Sequence, residues 1–209
     1  NTDTINGGDG ADTIDGRGGN DEINGGAGAD IIIVSTAGDG NGDTILGGSG
    51  DDILQLSTGS HAFSTDANVQ SIETITLNAS GTVIDLTGQT EGFIITGGAD
   101  IDEITGGSGD DTISGAAGAD IIKGAGGTDT ISVGSSDSAS DVIIFDSTSG
   151  MDIIQQFTAG ATNGDILKYI GNLTDAESSA NITTGNDNND DLLSADFSFN
   201  ATNSSLDIT

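Results

Sequence analysis

Cysteine, proline and tryptophan are absent from the chain, and aromatic residues make up only 3% of it. Without cysteine there is no disulfide to staple a small core and no thiol nucleophile. With few aromatics and 35 glycines in 209 residues, a conventional globular core lacks bulk. Basic residues are scarce as well: three Lys and Arg stand against 34 Asp and Glu, for a formal net charge of -31. That balance excludes binding to nucleic acid or to an anionic membrane through a basic patch, and it makes divalent cations the natural counter-ions. No apolar run approaches the ~20 residues that span a bilayer, so membrane insertion is not expected. The only histidine, His61, lies in the polar run SHAFST, so no His-Glu-x-x-His zinc helix is present and no serine site has a histidine partner. The chain therefore reads as non-catalytic, with His61 at the surface.

Such a composition is close to that of a disordered acidic segment. Against this stand Ile, Leu and Val placed in register with Gly and Asp. Asp12, Asp21 and Asp30 are nine residues apart, each followed two residues later by Ile14, Ile23 or Ile32. The units are GGDGADTID from Gly7, GRGGNDEIN from Gly16 and GGAGADIII from Gly25, with Asp3 and Ile5 ending an earlier copy. Asn1 thus stands inside a repeat, as in a piece of a longer protein. After an insertion from Val34 to Ala37 the phase resumes in GDGNGDTIL from Gly38 and GGSGDDILQ from Gly47. A second array contains GGADIDEIT from Gly97, GGSGDDTIS from Gly106, GAAGADIIK from Gly115 and GAGGTDTIS from Gly124. Each unit divides into a Gly-rich turn and a three-residue strand with an inward aliphatic, too short to be stable unless stacked on its equivalents at about 4.8 Å.

These units resemble the Gly-Gly-x-Gly-x-Asp-x-U-x nonapeptide, U being a large aliphatic, of the repeat-in-toxin (RTX) or hemolysin-type calcium-binding repeat family. The resemblance implies an all-β, right-handed parallel β-roll, or β-helix, with two nonapeptides per turn and Gly-rich loops at both edges. It implies several calcium ions, about six to ten, each held between loops two repeats apart by two Asp carboxylates and by loop carbonyls. The carboxylates so assigned are Asp3, Asp12, Asp21, Asp30, Asp43, Asp52, Asp102, Asp111, Asp120, Asp129 and Asp141. The pairs are Asp12 with Asp30, Asp21 with Asp43, Asp30 with Asp52, Asp102 with Asp120, and Asp111 with Asp129. First- and third-place carbonyls come from Gly7, Asp9, Gly16, Gly18, Gly25, Ala27, Gly47, Ser49, Gly97, Ala99, Gly106, Ser108, Gly115, Ala117, Gly124 and Gly126. Arg17, Ala116 and Ala125 depart from the pattern at the second Gly, a place that tolerates a side chain. Asp100 replaces the fourth Gly, which makes the loop from Gly97 the least certain site.

Four segments are expected: residues 1–55 and 97–132 as the RTX arrays, 56–96 as a β-helical spacer without calcium motifs, and 133–209 as degenerate repeats with a C-terminal cap. The spacer carries three alternating stretches, SIETITLN, GTVIDLTG and EGFIITGG. They either continue the coil or loop out as a binding insertion, and the spacing of Ile75, Ile84 and Ile94 favours the first. After Ser132, Asp141 with Ile143, Asp152 with Ile154 and Asp165 with Leu167 echo the unit at wider intervals, and Phe145, Phe157 and Tyr169 are large enough to seal an end. The tail reads as a hairpin from Asp196 to Ile208, and the acidic cluster Asn186 to Asp191 as a solvated loop or a further calcium site.

Two functions remain open. The first is a calcium-folded structural module of a secreted bacterial surface protein, a surface layer or adhesin, with neighbouring copies or cell-surface glycans as partners. The second is a folding, secretion or carbohydrate-binding module of a secreted toxin or hydrolase whose catalytic part lies upstream. The resemblance also implies type I secretion through a C-terminal signal and an extracellular or cell-surface location.

Overall fold

The computed structural model describes residues 2–35, 42–78, 81–134, 139–146, 150, 152–157, 164–170, 183–184, 197–200 and 205–208. Among these the chain is all β, without an α-helix, and its parallel strands stack into a solenoid as the repeat implies. One side is a nine-stranded sheet running from Thr13–Asp15 through Ile31–Val34, Ile53–Leu56, Thr74–Leu77, Ile94–Thr96, Thr112–Ser114, Thr130–Ser132 and Ile153–Gln155 to Thr183–Thr184. The other side is divided. Thr4–Asp9, Glu22–Ala27, Thr44–Ser49 and Val69–Gln70 form a four-stranded sheet. Gly59–Ala62, Thr82–Asp85, Glu103–Thr105, Ile121–Lys123, Val142–Asp146 and Ile166–Ile170 form a six-stranded one.

The register explains the core. Ile14, Ile32, Leu54, Ile75, Ile95, Ile113, Ile131 and Ile154 occupy one continuous column of the nine-stranded sheet, all of them buried. Ile84, Ile104, Ile122, Ile143 and Leu167 form the opposing column in the upper array. A three-residue strand buries one aliphatic, worth about 1.5 to 3 kcal/mol, so only the stacked array accumulates enough burial to order the glycine-rich turns. In the lower array the second-side strands are longer than three residues. They run for six, through the glycine pair, because Gly8, Gly26 and Gly48 lie in register and bond coil to coil.

Residues of the spacer extend the nine-stranded sheet, with Leu54, Ile75 and Ile95 in consecutive register. One coil there has an extra side. Between Ile53–Leu56 and Thr74–Leu77 the chain forms both Gly59–Ala62 and Val69–Gln70, the first stacking on Thr82–Asp85 and the second on Thr44–Ser49. The second face therefore changes sheet at this coil, whose wider interior is filled by Phe63, Val69, Ile72, Leu86 and Phe93. His61 belongs to this filling. It pairs with Ile84 and is fully buried, with Nε2 donating to the Ser57 carbonyl at 2.9 Å, which corrects the expectation of a surface residue. The polar letters around it concealed a strand whose inward position falls on the histidine.

On the outside of the nine-stranded sheet, Thr13, Ile31, Ile53, Thr74, Ile94, Thr112, Thr130 and Ile153 form one column. Asp15, Ile33, Gln55, Thr76, Thr96, Ser114, Ser132 and Gln155 form the second. Beyond the arrays Ile143, Ile154 and Leu167 still point inward, Phe157 is buried, and Phe145 packs partly buried against the core. Phe197–Asn200 and Ser205–Ile208 pair antiparallel, as the expected tail hairpin. The side chain of Tyr169, the cluster at 186–191 and the turn residues 38–41 lie outside the described residues.

Candidate metal centre

Each repeat aspartate stands immediately before a strand and turns into the roll. From Asp21 onward its Oδ1 accepts the backbone N–H of the residue at the same place one coil earlier. In the lower array the Asp3 amide donates to Asp21 and that of Asp21 to Asp43, at 2.8 and 2.7 Å. On the other edge Asp12 donates to Asp30, Asp30 to Asp52, and Asp52 to Glu73 Oε2, each at 2.8 Å. The upper array repeats the device: Thr82 to Asp102, Asp102 to Asp120, Asp120 to Asp141 and Asp141 to Asp165, at 2.8 to 3.1 Å. Its second edge runs from Phe93 to Asp111, then to Asp129 and Asp152, at 2.8 to 3.1 Å. All five aspartate pairs proposed from the repeat are thus direct neighbours.

Only half of each carboxylate is used in this way. The Oδ2 atoms of Asp12, Asp21, Asp30, Asp52, Asp129 and Asp152 are buried without a hydrogen-bond partner. A buried carboxylate oxygen with no donor is costly, and either a proton or an external cation would relieve it. The first glycine of the turn lies against this oxygen. A Cβ at Gly25 would come within 2.5 Å of both Asp30 Oδ2 and the Gly47 carbonyl oxygen, and one at Gly7 or Gly106 would meet the corresponding carboxylate and the Gly25 or Gly124 carbonyl. Carboxylate and carbonyl therefore converge on a space that a side chain would fill. Among the described residues no three His, Cys, Asp or Glu side chains gather at one point, so carbonyls have to complete any shell. Oxygen-only ligands of this kind fit a hard cation such as calcium, and these residues fit the ion that the repeat implies.

The loops are not equivalent. The Oδ2 atoms of Asp102 and Asp111 accept the Gly98 and Gly107 amides, at 2.7 and 3.0 Å, whereas those of Asp12, Asp21, Asp30 and Asp52 are without a partner. The coil before them carries Thr82 and Phe93 in place of acids, so no second carboxylate is present on that side. The third-place carbonyls of Ala27 and Ser49 accept the Gly10 and Gly28 amides, as rungs between coils. Arg17, Ala116 and Ala125 hold φ of 64, 71 and 74°, a left-handed backbone that side chains tolerate at a cost of roughly 1 kcal/mol.

Sequence reasoning did not assign Glu73, Asp152 or Asp165 to the ladders. Asp152 and Asp165 carried a signal, an aliphatic two residues on, but their intervals of 23 and 24 residues from Asp129 and Asp141 hid the stacking. Glu73 carried none, because its coil has no Gly-rich turn.

A family model for the RTX calcium-binding nonapeptide repeat matches residues 1–32, 37–60 and 96–131, in four copies. The chain carries RTX calcium-binding repeats. RTX repeats bind calcium, and in this chain the matched segments carry the ladder aspartates from Asp3 to Asp52 and from Asp102 to Asp129, while Asp141, Asp152 and Asp165 lie beyond them. No curated protein matches the chain.

Burial sets the proton affinity of these RTX carboxyls. Loss of water pushes Asp129 up from 3.8 to about 7, with repulsion from Asp152 and Asp111 adding to it, and pushes Asp111 up to about 6. Asp152 is raised by burial, and Asp52 by burial and by repulsion from Asp30 and Glu73. A carboxyl whose pKa is raised on folding contributes stability that is complete below 3.8 and is lost as the pH rises through about 6 to 7. Calcium requires the carboxylate, so protons compete with it. In chelator, lowering the pH from about 8 to about 5 is expected to increase the β spectrum, read by circular dichroism, because the folded carboxyls take up protons that those of the unfolded chain do not. A β signal in chelator that does not change over that range would show that Asp111 and Asp129 do not take up protons on folding.

Proposed function

We propose that the chain is a calcium-folded structural module of a secreted bacterial surface protein, a surface layer or adhesin, rather than a catalyst. What carries this reading is the pair of buried carboxylate ladders, which tie the rigidity of the roll to an ion scarce in cytosol and abundant outside cells. Calcium sites of the extracellular kind fill at about 10⁻⁴ to 10⁻³ M. A chain of this type stays unfolded at cytosolic calcium, passes a secretion channel and sets into a stiff roll on arrival. The first and second arrays, 1–55 and 97–132, bind the ions, the spacer 56–96 transmits the stack between them, and 133–209 closes it. The ligands are the aspartates and first-place carbonyls described above, for about six to ten ions. Among the described residues no helix is long and apolar enough to cross a membrane.

The test is display of the chain on a bacterial surface between an anchor and a distal reporter, with protease added in calcium or in chelator. Retention of the reporter in about millimolar calcium and its loss in chelator are expected. Cleavage within the arrays at full calcium would overturn the reading. Saturable binding to a cell-surface glycan panel, without any structural effect of calcium, would move the chain to the class of carbohydrate-binding modules.

A further inference from the structure

We infer that the outer face of the nine-stranded sheet is a self-association surface, on which a second copy of this chain packs with its solenoid axis antiparallel. The inference rests on the reading of the roll as a calcium-folded structural module and names how such modules meet. The first observation is charge. In a chain of net charge -31, Asp15 is the one charged residue among the outward positions of that sheet from Thr13 to Gln155. The six-stranded sheet, by contrast, carries Asp85, Glu103, Lys123, Asp146 and Lys168 on its strands. Two copies repel through charged surfaces and can approach closely only where charge is missing.

The second observation is register. Ile94 and Ile153 are 52% and 36% exposed, each among uncharged Thr, Ser and Gln neighbours of the same sheet. Along the column Ile31 stands three strands to one side of Ile94, and Ile153 three strands to the other. A two-fold axis lying in the interface, parallel to the strands and passing Ile94, brings Ile94 onto Ile94, Ile31 onto Ile153 and Thr74 onto Thr112. The same axis sets Ile53 against Thr130 and Ile33 against Gln155, so no charged pair meets from Ile31 to Ile153, and both copies present the same strand spacing at every step. A second copy is therefore a better fit than an unrelated partner. Eight strands two residues wide bury roughly 800 Å² in total, below the ~1,200 Å² of stable pairs. The contact is a weak one, suited to chains held at high local density.

The test is sedimentation equilibrium of the whole chain in about 5 mM calcium, up to about 1 mM protein, with circular dichroism of each sample. The wild type is expected to show a concentration-dependent rise in average mass that strengthens as salt screens the net charge. Ile94→Lys, and independently Thr112→Lys, are expected to reduce association at least tenfold while leaving the β spectrum unchanged. Ile166→Lys, 50% exposed on the six-stranded sheet, is expected to leave it unchanged. A wild type monomeric throughout, Ile94→Lys and Thr112→Lys variants that fold and associate like it, or equal loss in Ile166→Lys would overturn the inference. If calcium produces no β spectrum, it is the calcium-folded reading that fails instead.

Discussion

Calcium added to the chelated chain is expected to convert a coil spectrum into a β spectrum in one steep transition, with magnesium failing to do so. The reason lies in the ladders. Stacking brings carboxylates of adjacent coils about 5 Å apart, at roughly 1 to 3 kcal/mol of repulsion per pair. The pairs extend along both edges, from Asp3 to Asp43 and from Asp12 to Glu73 in the lower array, and up to Asp165 and Asp152 in the upper. Folded proteins are stable by only about 5 to 15 kcal/mol, so a few such pairs suffice to unfold the roll. Calcium bound between the coils, as proposed, would offset the repulsion and supply a partner to the orphaned Oδ2 atoms. Magnesium demands near-ideal octahedral geometry and keeps its water, so carbonyls and carboxylates fixed by a turn serve it poorly. Because each coil stabilises the next, the sites are expected to fill cooperatively, with a midpoint in the range of about 10⁻⁴ to 10⁻³ M. Full β content in chelator would show that the aliphatic columns alone hold the fold.

Asp30→Asn and Asp30→Ala are expected to separate the two duties of a ladder carboxylate. Asp30 is fully buried in the middle of the lower array, accepts from the Asp12 amide and donates its own amide to Asp52. Asparagine keeps an oxygen for the Asp12 amide but removes the charge between two neighbouring coils. The calcium midpoint is then expected to rise about tenfold or more, with a β spectrum recovered at high calcium. Alanine also orphans the Asp12 N–H, a further cost of about 1 to 3 kcal/mol, so a loss of thermal stability that calcium does not restore is expected. Calcium titration and thermal melts in saturating calcium check both. Identical curves for Asp30→Asn and the wild type would show that no ion depends on this carboxylate. Asp141, at the corresponding place in the widened repeats, accepts from Asp120 at 2.8 Å.

The amino-acid sequence by itself determined the fold class and the heart of the candidate site. A period of nine places one Asp and one aliphatic in each repeat, and with two repeats to a turn, as the family resemblance implies, residues such as Asp12 and Asp30, eighteen apart, meet. The same logic aligned Ile113 with Ile131. It carried over the insertion after Ile33, pairing Asp21 with Asp43 and Asp30 with Asp52 across 22 residues, but failed where a recognisable Gly-rich unit no longer marked the phase. Asp129 meets Asp152 across 23 residues, and Asp52 meets Glu73 across 21 with no glycine-rich turn between them to announce it. Only the tertiary structure decided that the coil after Leu56 has an extra side, that the second face changes sheet there, and that His61 fills its interior. Burial of a polar residue depends on what stacks above and below it, and that is a property of the assembled coils. The same holds for the uncharged outer columns: each strand contributes only two outward residues, and the surface they form exists once eight strands are in register.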